Sequence, residues 1–383
     1  MTDKVVIGYE TIIDLVNWLT HEQHYENTQL ARLQKESTYI PLIKLANNFW
    51  LIGALCQRIR EKNVWQLLPE DLTGYLSEIE KAYLSRSETI YQEAIFCCRI
   101  LNKNNIRVIM LKGIAGLFNG SYKHISERFM ADIDLLVSNE QLNDSFSTLQ
   151  SAGFYENANE FDISPVDHHH LPPLIRANGC CYVELHRLGL KKSVSDILTT
   201  QEIWQKCVPL TIEQDMDVFQ LAPSHQLILA IAHSELSDKN YDNKTFELKQ
   251  LHNIYVIAHY FYQEIDWVLV KSHFIRVGHL TVLNSTLFSL LKLFNFTTPI
   301  TNLIDDDAKK HVETSIEKYL STQGELTLVS RIITLVRGYQ KETILNLYGT
   351  DHYFPVLTGR LKHFKRHVKM VFEMVSSSFP KKK

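Results

Sequence analysis

Strand-like patterns occupy a single stretch of this 383-residue chain, and helical periodicity surrounds it on both sides. β-prone runs at residues 106–111 and 132–137 are each followed by a helix-like segment, at residues 114–122 and 141–152. Short strands that alternate with helices over roughly 80 residues predict a small α/β unit. The remainder of the chain is expected to pack around this unit as helices.

The same stretch ends with two predicted antiparallel strands. Residues 168–176 and 182–186 have strand patterns joined at Asn178-Gly179, although Pro172-Pro173 makes the first an interrupted or edge strand. Between these strands and the preceding helix, Gly153-Phe154 is expected to begin an irregular stretch.

Helical spacing predominates on both flanks. Ser37 is the predicted N-cap of the second helix, and residues 69–101 are predicted to form the third. Helical periodicity returns from Pro223 onward. The apolar residues that carry the first two helices are Ile12, Ile13, Val16 and Leu19, then Leu42, Leu45, Phe49 and Ile52.

These patterns predict an α+β fold in which a small mixed-sheet core is flanked by N-terminal and C-terminal helical regions. The expected division is a helical lead-in domain at residues 1–104, an α/β core at 105–215 and a C-terminal helical domain at 216–383.

Composition excludes several classes of protein. A net charge of -3 and a pI near 6.6 give the whole chain no general attraction to nucleic acid or membranes. The six cysteines include no Cys-x-x-Cys pair, which fits neither a zinc ribbon nor a disulfide framework and favours a reducing cytoplasm. No signal-peptide pattern is present, and no run approaches the ~20 apolar residues that span a bilayer. We therefore expect a soluble, cytoplasmic protein.

Two aspartates one residue apart, Asp132 and Asp134, lie in one of the predicted strands. Because side chains alternate along a strand, both carboxylates project from one face while Ile133 and Leu135 point into the core. Two acids on one face beside buried apolar residues offer hard oxygen ligands, which Mg²⁺ prefers.

The order of the motifs is similar to that of a known family. Leu111-Lys112-Gly113 precedes a helix, Arg128 precedes the Asp-Ile-Asp strand, and Gly153-Phe154 is followed by a histidine-bearing strand and by Val183-Glu184-Leu185-His186. This arrangement resembles the uncharacterised nucleotidyltransferase family of the polymerase-beta-like nucleotidyltransferase superfamily. The resemblance extends over about residues 10–290.

The resemblance implies a transfer of a nucleoside monophosphate from an NTP to a small-molecule, protein or RNA acceptor, with release of pyrophosphate. Asp132, Asp134 and a third carboxylate, Glu184, would bind two Mg²⁺ ions, with Mn²⁺ as the alternative. Glu184 would also help to deprotonate the acceptor hydroxyl. His186, on the same strand face, would contact phosphate or orient the acceptor. The acceptor is not defined by the sequence, and ATP, GTP, CTP and UTP all remain open as donors.

The resemblance also implies residues that bind the nucleotide phosphates. Lys112-Gly113 would form the phosphate turn, because a strand that leads through glycine into a helix presents free N–H groups to an anion. Arg128, four residues before Asp132, would reach a phosphate oxygen. The superfamily more commonly has Gly-Ser at this turn, whereas Leu-Lys-Gly is usual in this branch.

The triplet His168-His169-His170 suggests zinc. On a strand, however, His169 faces away from its two neighbours, so the three cannot join one ligand set without distortion. The family resemblance instead places a histidine of this strand, taken here as His170, in the acceptor or nucleotide pocket.

A basic amphipathic segment lies near the C-terminus, at residues 360–371. Such a helix can bind an anionic lipid surface or RNA. It more commonly ends a helical bundle with a solvated basic face, which is the interpretation we favour. Its basic residues are Arg360, Lys362, Lys365, Arg366 and Lys369.

Two other functions fit the same residues. A degenerate member of the fold would bind nucleotide or a partner without chemistry, but the intact Asp132, Asp134 and Glu184 count against it. A glycosyltransferase would also use Asp-x-Asp, for a metal ion and a sugar nucleotide. Those enzymes usually place the motif after a longer nucleotide-binding α/β region, whereas here one strand and one helix precede it.

Overall fold

A seven-stranded mixed sheet runs through the chain. The computed structural model describes residues 6–21, 25–156, 169–177, 179–213 and 216–322. The pairs β2/β5 and β1/β7 are parallel, and the other neighbours are antiparallel. In the spatial order β3-β4-β5-β2-β1-β7-β6, the strands are β1 (Val108–Met110), β2 (Asp132–Leu136), β3 (Phe154–Glu156), β4 (Leu174–Arg176), β5 (Tyr182–His186), β6 (Val208–Pro209) and β7 (Val218–Gln220).

The predicted mixed-sheet core is confirmed, and so is the antiparallel pairing of its last two predicted strands. Leu174 of β4 pairs with Val183 of β5, and His170 forms an isolated bridge with His186 on the other side of the proline pair. The prediction that Gly153-Phe154 begins an irregular stretch is wrong. Phe154 starts edge strand β3, which has three residues, of which only Phe154 is buried. So short a strand shows no alternation of apolar and polar residues by which the sequence could predict it.

The sequence pattern also gives no sign of β6 and β7. Each has at most three residues, so propensity carries little information about it. β7 pairs in parallel with β1, and the sheet therefore continues past the predicted core boundary at residue 215.

Helices precede and follow the sheet, as predicted. Helix α3 begins at Glu36 with Lys35 as its N-cap, so the prediction of Ser37 as N-cap is wrong by two residues. The N-terminal helices are α1 (Tyr9–Leu19), α2 (Asn27–Gln34), α3 (Glu36–Asn48), α4 (Ile52–Glu61) and α5 (Glu70–Lys103). Those between strands are α6 (Lys112–Phe118), α7 (Leu142–Ser151) and α8 (Thr200–Lys206).

After β7, the regular elements in the described part of the C-terminal region are all helices. A short π-helical segment, His233–Ser237, directly continues α9 and is called its π-turn below. In residues 6–322, gaps aside, no helix has both the length and the apolar character needed to cross a bilayer. The predicted basic segment 360–371 lies outside the described residues. The helices are α9 (Pro223–Ala232), α10 (Asn240–Asn243), α11 (Leu248–Tyr260), α12 (Trp267–Arg276), α13 (Leu280–Phe294) and α14 (Asp306–Thr322).

The two faces of the sheet pack against different helices. Ile133 and Leu135 of β2 belong to an apolar cluster that includes residues of α5 and α7, as the alternation predicts. Leu136 of β2 and Ile109 of β1 belong to a second cluster with the N-terminal and C-terminal helices. Asp132 and Asp134 alternate with Ile133 and Leu135 along β2. They therefore lie on the opposite face of the sheet, which is the face toward the C-terminal helices.

Candidate active site

A cavity of about 350 Å³ lies between the face of the sheet that carries the aspartates and helices α9 and α11. Six of the residues predicted from sequence line it together: Lys112, Gly113, Arg128, Asp132, Asp134 and Glu184. The other two predicted residues, His170 and His186, are buried behind the carboxylates.

Three carboxylates come together because β2 and β5 run in parallel and in register. Asp134 pairs with Glu184, and Asp132 pairs with Tyr182 two residues earlier on each strand. Residues opposite each other on neighbouring strands project from the same face, so Asp132, Asp134 and Glu184 share one side of the sheet. The third carboxylate is therefore where the resemblance implies it to be.

Asp134 is the most enclosed of the three, with only 2% of its surface exposed. Its Oδ1 lies 2.6 Å from Lys112 Nζ and 2.8 Å from His186 Nε2. Burial by itself would raise the pKa of Asp134, but the Lys112 charge and the His186 hydrogen bond outweigh burial and hold the pKa well below its usual value. Asp134 is therefore ionised before any ligand arrives.

The other two carboxylates have different environments. Burial, followed by the charge of Asp134, raises the pKa of Asp132 to about 6. Burial opposes ionisation of Glu184 too, but its hydrogen bond with His186 and the nearby His170 lower its pKa overall. His186 Nε2 lies 3.3 Å from Glu184 Oε2, so one imidazole links the two acids of neighbouring strands.

This donor set suits a hard divalent cation. Ligand atoms of Asp134, Glu184 and His186 all lie within 4.8 Å of one another, and Asp132 lines the same cavity. Carboxylate oxygens are the ligands that Mg²⁺ takes, and Mn²⁺ accepts the same set.

Lys112 and Gly113 form a tight junction between β1 and α6. Lys112 has a left-handed backbone with φ of 51°, a conformation that costs a non-glycine residue about 1 kcal/mol. Gly113 packs closely against two side chains: a Cβ there would lie 2.7 Å from Arg128 Nε and 2.9 Å from Met130 Sδ. Any larger residue at position 113 would therefore displace Arg128 or Met130.

Arg128 enters the cavity from the loop that precedes β2. Its Nε is buried and lacks a hydrogen-bond partner in the described part of the chain, while its Nη1 lies 3.5 Å from the Tyr122 hydroxyl. The N-terminal helices hold this loop, because Arg58 of α4 donates to Glu127 at 2.7 Å. A buried guanidinium N–H without an acceptor is well suited to an anionic ligand.

The histidines lie differently from the strand-based prediction. The rings of His169 and His170 are 4.5 Å apart and each lies 5.2 Å from the ring of His186, so neighbouring residues do not face opposite ways here. The segment is an isolated bridge rather than a regular strand, which explains the difference. His169, not His170, lines the cavity, whereas His170 Nε2 lies 3.6 Å from Glu184 Oε2. His168 lies outside the described residues.

The opposite wall of the cavity is formed by residues that the sequence did not single out. Lys249, Asn253 and Ile257 of α11 project into it at intervals of four, which is one face of a helix. Burial, followed by the charge of Arg128, lowers the pKa of Lys249 to about 8. The same wall includes Gln226, Leu229, Ala230, His233, Asp238, Gln250 and Lys191.

One sequence signal could have found part of this wall. Lys249 and Asn253 are polar residues at i, i+4 in a helix whose other faces are mostly buried. Two polar residues with this spacing in an otherwise buried helix indicate that their face of the helix borders a cavity. No comparable signal exists for Lys191 or Asp238, which lie in connections and reach the cavity only through the packing of α9 and its π-turn.

Comparison with known proteins gives one family. The profile of a family described as "Uncharacterised nucleotidyltransferase" matches residues 39–295, or from α3 to the end of α13. This range begins later than the predicted resemblance, which started near residue 10. No curated protein and no solved structure matched the chain.

Proposed function

The chain belongs to the uncharacterised nucleotidyltransferase family, and from that premise we propose that it moves a nucleoside monophosphate from an NTP to a hydroxyl group with release of pyrophosphate. The observation that carries this proposal is one cavity in which three carboxylates share one face of the sheet and four basic side chains line the same space, together with a fourth carboxylate, Asp238. The basic residues are Lys112, Arg128, Lys191 and Lys249. Carboxylates suit a divalent cation, and the cations suit a triphosphate.

Asp132, Asp134 and Glu184 would hold Mg²⁺, or Mn²⁺ in its place. The ion would supply charge neutralisation for the phosphate oxygens during an in-line displacement. Arg128 would bind a phosphate oxygen with its buried, unpartnered Nε–H. Lys112 would exchange its contact with Asp134 for the triphosphate, which returns a carboxylate oxygen to the cation.

The transfer itself needs few further groups. The acceptor oxygen attacks the α-phosphorus, the bond from that phosphorus to the pyrophosphate oxygen breaks, and the acceptor proton passes to a carboxylate. Glu184 is our candidate for that carboxylate, because it lines the cavity on the strand next to Asp132 and Asp134. His186 and His170 would position Glu184 rather than contact phosphate, since both are buried behind it.

One observation favours a second function, in which the protein binds a nucleotide without transferring it. The Lys112 ammonium lies 2.6 Å from Asp134 Oδ1, where it competes with a metal ion for that carboxylate. If Lys112 does not release Asp134, the metal site stays incomplete. The family match favours either function over the glycosyltransferase alternative.

The test begins with calorimetric titration of each NTP, with and without Mg²⁺, into wild-type protein and into the Asp132→Asn/Asp134→Asn double variant. Asparagine keeps the side-chain shape and removes the charge. Asp144→Asn in α7 is the matched control, because Asp144 is exposed and away from the cavity. The NTP that binds most tightly is then used in a pyrophosphate-release assay, with water as the default acceptor.

We expect Mg²⁺-dependent NTP binding in the wild type and in Asp144→Asn, and its loss in the double variant. Pyrophosphate release would support transfer. Tight binding without any release, and with no labelled nucleotide transferred to the protein or to added hydroxyl compounds, would favour the second function. Failure of well-folded wild type to bind any NTP would contradict both.

Several sequence predictions enter this proposal unchanged. The acceptor is a small molecule, a protein or an RNA, and the setting is the cytoplasm. The division near residues 104 and 215 also stays a prediction, with β7 of the sheet beyond the second boundary. Contact with an anionic surface through residues 360–371 also stays a prediction, since that segment lies outside the described residues.

A further inference from the structure

A second cluster of ligand-type side chains lies where α8, α9 and α12 meet. His273 Nε2 is 2.8 Å from Glu202 Oε1, and His225 Nε2 is 3.8 Å from the same oxygen. One ligand atom from each residue lies within 4.8 Å of the other two. None of the three residues lines the cavity described above, so the cluster is separate from the candidate active site.

The two histidines are deeply buried. His225 is 3% exposed and His273 is 2% exposed, whereas Glu202 keeps partial access to solvent. His225 Nδ1 is buried and has no hydrogen-bond partner among the described residues. Burying an imidazole without full hydrogen bonding is costly.

The hydrogen bond of His273 fixes which nitrogen carries its proton. Nδ1 lies 2.9 Å from the carbonyl oxygen of Leu269, which can only accept, so Nδ1 must donate. A neutral ring then presents the lone pair of Nε2 to Glu202 Oε1 at 2.8 Å. Two acceptors at this distance need a proton or a cation between them.

A single proton would not serve both histidines. The distance of 3.8 Å from His225 to Glu202 is too long for a hydrogen bond. By contrast, ligand atoms around a tetrahedral Zn²⁺ ion lie roughly 3.3 Å apart, between the two observed separations.

We propose that Glu202, His225 and His273 form a binding site for a transition-metal ion of the Zn²⁺ class. Two neutral imidazoles and one carboxylate are a ligand set that Zn²⁺ takes. The His273 Nδ1–H bond to a backbone carbonyl is the outer hydrogen bond that usually orients a metal-binding histidine. Arg276, whose Nη2 lies 3.8 Å from Glu202 Oε2, faces the second carboxylate oxygen and leaves Oε1 to the ion.

The position of the site assigns it a structural role. It joins three helices whose ligands are separated by up to 71 residues in sequence. Helix α9 also carries Gln226 and Ala230 into the cavity. A metal ion at His225 would therefore fix the position of α9 against α8 and stabilise the folded state, which binds the ion better than the unfolded chain does.

The experiment is a titration of metal-free, untagged full-length protein with Co²⁺ and then Zn²⁺, in excess Mg²⁺ to occupy the oxygen-rich cavity. Co²⁺ held by nitrogen and oxygen in a tetrahedral site has strong visible absorption bands, whereas Co²⁺ in an octahedral carboxylate site absorbs weakly. We expect one equivalent of Co²⁺ with tetrahedral bands, displaced by Zn²⁺, and a rise in Tm on Zn²⁺ binding.

Variants locate the site. Glu202→Gln and His225→Ala should each weaken Zn²⁺ binding by at least about 100-fold, since loss of even an outer partner costs up to that much. His252→Ala is the matched control, because His252 is a buried histidine of α11 outside both ligand clusters. Glu202→Gln is decisive if His225→Ala fails to fold, because Glu202 is partly exposed and glutamine keeps its size.

Absence of tetrahedral bands in folded wild type would overturn the proposal. Unchanged Zn²⁺ affinity in folded Glu202→Gln would do so as well. The readouts are spectral and thermal, so they do not depend on whether the chain transfers nucleotides.

Discussion

The two walls of the cavity hold their charges in different ways. On the sheet wall, Asp134 is already paired with Lys112 and His186, and Glu184 shares the same imidazole. On the helical wall, Lys191 lies 3.7 Å from Asp238, but Lys249 has no ion pair among the described residues, and its Nζ lies 5.5 Å from the centre of the Phe129 ring. The most buried carboxylate of the sheet wall is therefore paired in advance, whereas Lys249 presents a buried positive charge without an ion-pair partner.

This difference separates two tasks within one site. A pre-paired network of carboxylates has fixed geometry, which suits a group that must hold a cation and reacting atoms in place. A desolvated lysine without an ion-pair partner has its charged form disfavoured until an anion arrives, which suits recognition of phosphate. Substitutions on the sheet wall should therefore remove chemistry, whereas those on the helical wall should weaken binding.

The largest effect is expected for Asp134→Asn on the sheet wall. The change removes a proposed metal ligand and leaves Lys112 without its counter-charge. We expect the rate of pyrophosphate release to fall by about 1000-fold, the upper end of losses from removing one charge-stabilising group. Breaking one side of a buried pair should also lower the free energy of unfolding by about 3 kcal/mol.

Asp132→Asn is the informative partner of that variant. Asp132 is only partly buried and lacks the Lys112 contact, so its substitution should remove activity with little change in urea-denaturation midpoint. Equal stability losses in the two variants would remove the distinction between a paired and an unpaired carboxylate on this wall.

Gly113→Ala should produce the next largest effect. The new Cβ would lie 2.7 Å from Arg128 Nε, so the guanidinium must shift from its position in the cavity. We expect kcat/KM to fall by about 100-fold, as misplacement by about an ångström can cause. Gly74→Ala in α5 is the control, because its Cβ meets nothing within 4 Å and alanine favours a helix. Equal activity in the two variants would show that Arg128 has room to shift.

A smaller effect, on binding alone, is expected for Lys249→Met on the helical wall. Loss of one charge-assisted contact should weaken NTP binding by about 10-fold and leave the rate at saturation nearly unchanged. A fall in kcat as large as the fall in affinity would contradict the division between the walls.

The pH dependence of Lys249 offers an independent check. Its pKa is lowered from 10.5 to about 8, so NTP affinity should fall as pH rises through about 8 and the lysine loses its charge. Stability should move the other way: between these two values the unfolded chain binds more protons, so stability rises with pH. Lys249→Arg keeps its charge, and its affinity should stay flat over this range.

The smallest effect tests the contact between the walls. The Tyr122 hydroxyl, next to Arg128, donates to Asn253 Oδ1 of α11 at 3.0 Å. Tyr122→Phe should lower the free energy of unfolding by about 1 kcal/mol and change NTP affinity only slightly. Tyr260→Phe is the control, because that hydroxyl donates to the Asn119 carbonyl from an exposed side chain. Equal losses in the free energy of unfolding in the two variants would mean that the buried Tyr122–Asn253 contact does not help to hold the two walls together.

Sequence reasoning predicted the sheet wall well and the helical wall hardly at all. The shared face of Asp132 and Asp134 follows from strand alternation, which acts over a few residues, and the family resemblance implied Glu184. Gly153-Phe154 and β7 were beyond that reasoning, because very short strands exist only through pairing with a neighbour. Lys191 and Asp238 were beyond it too, since connections carry no periodicity.

The sequence by itself determined the α+β class, the family resemblance and the carboxylates on one strand face, because these depend on local periodicity and adjacent residues. Only the tertiary structure decided that Lys112 binds Asp134, that His186 bridges two acids, and that Lys249 completes the cavity. It alone also brought together Glu202, His225 and His273. These contacts join residues far apart in the chain, and their positions depend on helix and strand packing that no local pattern records.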